Sequence, residues 1–160
     1  MNFKSWMQIY NISPAGSNTR AEALEKMAEF AKSFADWRNV FYRSLAGSMD
    51  ETKAFWKMSN LAKTFGEHLA VYSEAGNRHT EKQGALCRLM DLADDPKDAD
   101  WTKKRDGIKL PRWMRIFEVS PLNSDQERRA AARIIELMIA QKVNEAENRK
   151  KQPDSSSSKM

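Results

Sequence analysis

Glycine and proline number only six and five among 160 residues, and they sit between stretches whose apolar side chains recur every three or four positions. That spacing places the apolar residues on one side of a helix, and the punctuation marks where helices stop. The expected fold is therefore all-α: a compact helical bundle with two long antiparallel helices, shorter helices and a long C-terminal helix.

Along the chain, Phe3, Trp6, Met7 and Tyr10 share one face of a short first helix that Ser13-Pro14-Ala15-Gly16 ends. Asn18 or Thr19 offers a side-chain oxygen to unpaired amides and opens a long helix over 20–45. Leu24, Met27, Ala28, Ala31, Phe34, Ala35, Phe41, Tyr42 and Leu45 form its stripe, widened by Phe30 and Trp37. After Gly47-Ser48-Met49, Asp50 caps a second long helix over 50–72 carrying Phe55, Met58, Leu61, Phe65 and Leu69. The short connection makes the two antiparallel.

Gly76-Asn77 marks a stop, and Thr80-Glu81-Lys82-Gln83 reads as a capping box before Leu86, Leu89, Met90 and Ala93. Asp94-Asp95-Pro96 closes that helix, and 98–106 can add one or two turns. Pro111 suits the first position of a short helix, with Trp113, Met114 and Phe117 inward and Arg112 and Arg115 outward. Ser124-Asp125-Gln126-Glu127 is a further capping box and opens the last helix. Its apolar face is Ala131, Ile134, Ile135, Met138, Ile139 and Val143. Residues 148–160 are too polar to offset their ordering entropy and read as a disordered tail, leaving 1–147 as one helical domain.

Hydrophobic residues make up 41% and charged residues 31% of the chain, the balance of an ordinary globular protein. No run approaches the roughly 18 apolar residues of a membrane span, and the first residues lack a signal-peptide centre, so a cytoplasmic location is expected. Cys87, the single cysteine, excludes an intrachain disulfide and reads as a small packed hydrophobe between Leu86 and Leu89. With His68 and His79 the only histidines, no metal site is expected, and Asp94, Asp95, Asp98 and Asp100 lack the spaced ligands of a calcium loop. Phosphate-binding glycine loops, nucleophile elbows and His-Glu-x-x-His helices are all missing. Neither an enzyme nor a cofactor is expected.

Charge is the remaining signal. From Trp101 to Arg115 the chain carries six basic residues against one acid, a local surplus equal to the +5 of the whole chain. Lys103, Lys104, Arg105, Lys109, Arg112 and Arg115 can neutralise phosphates, and Trp101 can stack on an unpaired base, as can Trp113 when it is not part of the core. The segment is thus a candidate nucleic-acid-binding site. A face of solvated charges balanced by Asp98 and Asp100 is the competing reading.

The aromatic first segment, Asn18-Thr19-Arg20-Ala21-Glu22-Ala23, Phe34-Ala35-Asp36-Trp37-Arg38 and Gly76-Asn77-Arg78-His79-Thr80 resemble the small replication B proteins of temperate tailed phages. The resemblance implies a non-enzymatic accessory protein that helps bring the host replicative helicase to DNA, single strands included, and it transfers no functional residue. A phage or plasmid DNA-binding regulator, or an inhibitor of a host defence enzyme, is the alternative.

Overall fold

The computed structural model describes residues 1–95, 97 and 109–151. Those residues form eight α-helices and no strand, as the apolar spacing requires. They fall into two units, Met1–Arg88 and Leu89–Met160.

In the first unit, α1 (Phe3–Ile12) starts where the Asn2 carboxamide accepts the Ser5 amide at 3.0 Å. A turn through Gly16, whose φ of 77° suits a residue without Cβ, leads to α2 (Asn18–Phe30). Its cap is Ser17, one residue before the expected Asn18 or Thr19. The helices α3 (Phe34–Arg43), α4 (Met49–Leu61) and α5 (Phe65–Glu74) follow, then α6 (His79–Ala93). Ser48, not Asp50, caps α4, its hydroxyl accepting the Glu51 amide at 3.1 Å.

Both long helices expected over 20–45 and 50–72 are therefore interrupted. Between α2 and α3 the backbone turns extended at Ala31, and Ser33 and Asp36 close a capping box, the carboxylate accepting the amides of Lys32 and Ser33 at 3.1 and 3.0 Å. Thr64 and Glu67 repeat the device between α4 and α5. Each box satisfies amides that a new helix start leaves without partners, which makes the break stable. Because apolar residues keep their three- and four-residue steps across both breaks, periodicity alone does not detect them.

The breaks let short helices close round one core. Helices α1 and α2 pack together, as do α3 and α4. Phe55, Met27, Met58, Val40 and Val71 are fully buried; each such side chain contributes about 1.5–3 kcal/mol by leaving water. Phe41 lies 6.1 Å from Phe55, and the Arg78 guanidinium covers the same Phe55 ring at 4.5 Å. At the rim, Arg38 Nη2 donates to the Tyr42 hydroxyl at 3.0 Å, and that hydroxyl donates to Glu74, tying α3 to α5.

Helix α6 starts at His79, so Thr80 is its second residue and not its cap. The boundary between the two units falls inside this helix. In the second unit α7 (Lys109–Val119) packs on α8 (Asp125–Lys151). Pro111 is the third residue of α7, two positions later than expected. The Ser124 hydroxyl caps α8 at the Glu127 amide, 3.1 Å away, while the Glu127 carboxylate reaches back to the Asn123 amide. Asn123 holds the left-handed conformation at φ 60° that this turn requires. Helix α8 continues through Lys151, so residues 148–151 of the expected tail are helical; the rest of that tail lies outside the described residues.

Candidate nucleic-acid interface

Four of the seven candidate residues, Trp101, Lys103, Lys104 and Arg105, lie outside the described residues, as does the short helix expected over 98–106. Lys109, Arg112 and Arg115 come together on α7 but face different surroundings. Lys109 is half-buried at the first position of the helix. Arg115 is exposed and paired with Glu118 one turn on, at 2.8 Å.

Arg112 does not point outward as its sequence position suggested. It is buried, and its Nη1 donates to the Leu92 carbonyl at 2.9 Å. That carbonyl belongs to the last turn of α6, where acceptors lack intrahelical donors and the helix dipole favours a cation. The guanidinium thus serves as a C-terminal cap for a neighbouring helix. Ile116 lies on the same inner face and is fully buried, whereas Met114 and Phe117, expected inward, are exposed.

Next to Arg112, Trp113 is buried with the indole Nε1 donating to Asp94 Oδ1 at 3.2 Å. The other Asp94 oxygen accepts from Arg133 Nε at 3.0 Å, and Arg133 Nη1 also pairs with Glu136 at 2.8 Å. Asp94 therefore joins the end of α6 to both α7 and α8. The carboxylates of Glu136 and Asp94 hold the Arg133 guanidinium even more firmly protonated than usual. These roles were not legible in the sequence. Asp94 read as one acid of a polar turn, and partners 19 and 39 positions away leave no local pattern.

Of the other side chains singled out in the sequence, Cys87 departs from its expected place: it is exposed and not packed between Leu86 and Leu89. His79 is exposed at the start of α6. His68 is half-buried beside a cavity of about 290 Å³ that Trp56, Thr80, Glu81 and Arg88 also line. A groove of about 760 Å³ runs along α2, α3 and α4, with Leu24, Ala28, Trp37 and Val40 beneath and Glu22, Glu25, Glu29, Asp50 and Lys53 at its rim. Among the described residues no group of three or more His, Cys, Asp or Glu side chains is placed to hold a metal ion, and no helix is long and apolar enough to cross a membrane.

The chain matches no protein-family model, no curated protein and no solved structure.

Proposed function

We propose that this protein is a non-enzymatic DNA-replication accessory factor, phage-encoded and acting in the host cytoplasm, that links the host replicative helicase to DNA. The observation that carries the reading is the concentration of the chain's entire net charge between Trp101 and Arg115. The described side of this stretch supports it: Arg112 and Trp113 are tied back to Leu92 and Asp94. These bonds hold the start of α7, which carries the last cations of the stretch, against the end of α6. Phosphate is the acidic partner that such a concentration of cations attracts most strongly, and flat indole rings beside the cations favour unpaired bases. Resemblance to the phage replication B proteins supplies the helicase partner.

The test combines two measurements. Affinity purification from bacterial lysate, with and without nuclease, should retain the replicative helicase in both cases. The variant Lys103→Ala with Lys104→Ala and Arg105→Ala should weaken DNA binding and flatten its dependence on salt, by about 0.7–0.9 in log–log slope for each phosphate that is no longer neutralised. A folded triple variant with an unaltered slope would overturn the assignment of the basic segment. Helicase recovered only without nuclease would overturn the adaptor role.

A further inference from the structure

Helix α8 is longer than the surface available to bury it. At about 1.5 Å per residue its 27 residues span about 40 Å, whereas the 11 of α7 span about 16 Å. Ala130 alone is fully buried on α8, Ile134 and Leu137 are half-buried, and every residue from Met138 to Lys151 is exposed. The uncovered stretch from Met138 to Lys151 is about as long as an isolated helix that is marginal in water. Helix α8 nevertheless carries large apolar side chains on its outer surface: Ile135 and Ile139 are 58% exposed, Val143 50% and Met138 46%.

Three of them, Ile135, Ile139 and Val143, form a line with two alanines, while Met138 lies to one side. Ala132, Ile135, Ile139, Val143 and Ala146 follow one another at steps of three, four, four and three. At about 100° per residue, all five fall within about 40° of one line, opposite Ala130, Ile134 and Leu137. A three-four-four rhythm is the eleven-residue repeat that lets two helices lie side by side with little or slightly right-handed supercoiling. A second helix is what the line fits.

Charge identifies that second helix. Beside the line, Glu136 and Glu147 lie along one edge, and Lys142 and Arg149 along the other. When two copies of α8 run parallel about a twofold axis, the acidic edge of each meets the basic edge of the other; when they run antiparallel, like edges meet. We infer that α8 pairs in parallel with α8 of a second copy of this chain, forming a symmetric dimer. The contact is isologous, with Ile135 and Ile139 facing their own counterparts, and Glu147 reaches Lys142 and Arg149 across it. Glu136 keeps its bond to Arg133 at the N-terminal end. The inference stands apart from the proposed function, since it involves neither DNA nor helicase.

Sedimentation equilibrium of the nuclease-treated full-length protein tests it. The wild-type chain should sediment as a dimer at micromolar concentration. Ile135→Asp with Ile139→Asp should give a monomer, because both side chains are exposed and their replacement leaves the core untouched. Lys142→Glu with Arg149→Glu should raise the dissociation constant about tenfold or more, by placing acids on both edges. Adding Glu136→Lys and Glu147→Lys to that variant should restore the dimer. A wild-type monomer across the micromolar range, or a dimer indifferent to both the aspartate pair and the charge reversal, would overturn the proposal. Loss of the dimer without recovery in the fourfold swap would overturn the parallel register.

Discussion

Single residues in this protein take their roles from neighbours far along the chain. Arg112 is the clearest case: it belongs to the basic run, yet its guanidinium is taken up by the Leu92 carbonyl. Arg112→Met should therefore cost about 1.5–3 kcal/mol of stability, the usual value of a hydrogen bond to a charged group. Urea unfolding measures that loss, and under the proposed function the salt dependence of DNA binding should stay as in the wild type. Asp36 shows how a surface carboxylate can matter to acid stability. Burial pushes its pKa up, but the Lys32 and Ser33 amides and the Ser33 hydroxyl together outweigh that effect and leave it below the ordinary value. A carboxyl group lowered on folding stabilises the folded state fully above its unfolded pKa, about 3.9, and loses that contribution as pH falls through the folded value. Asp36→Asn should remove this portion of the pH dependence, leaving a shallower decline of melting temperature on acidification below that range. An unchanged decline in the variant would show that the carboxylate plays no such part.

At the level of elements, the capping boxes decide where helices stop. Thr64→Ala removes the oxygen that accepts the Glu67 amide at 3.2 Å and should cost about 1 kcal/mol, read as a shift in the urea midpoint with unchanged slope. Thr64→Ser, which keeps the oxygen, should retain most of the stability. Helix existence was legible almost throughout, because α1, α6, α7 and α8 each carry an apolar stripe between recognisable stops. The two interior breaks were less so. Their signals, Ser33-x-x-Asp36 and Thr64-x-x-Glu67, are present, but the stripe runs through them in phase, and a local cap competes with a longer-range pattern. Helix α8 shows the opposite error of inference. Its apolar positions were correctly placed on a helix, but periodicity does not say whether a face meets the core of the same chain, and four of them are exposed.

For the molecule as a whole, stability in the first unit concentrates on Phe55, fully buried and in contact with Phe41 and the Arg78 guanidinium. Phe55→Ala should cost about 3–5 kcal/mol, from lost transfer energy and the cavity left behind. Hydrogen exchange of residues 1–88 should accelerate accordingly; unaltered protection there would mean that the ring carries little of the core. The candidate site was legible only as charge. Summing residues locates the surplus between Trp101 and Arg115, since electrostatic excess depends on composition, but direction depends on packing. Arg112 and Arg115 are three residues apart, and one is buried against α6 while the other faces solvent beside Glu118.

Sequence alone determined that this chain is helical, roughly where most of its helices lie, and where its positive charge accumulates. Each of these follows from interactions between near neighbours or from simple addition. Tertiary structure decided which cations are consumed as caps, that Asp94 joins three helices, and that one face of α8 lacks cover. Those outcomes depend on groups separated by tens of residues, whose meeting is set by how helices pack and not by how any one of them is spaced.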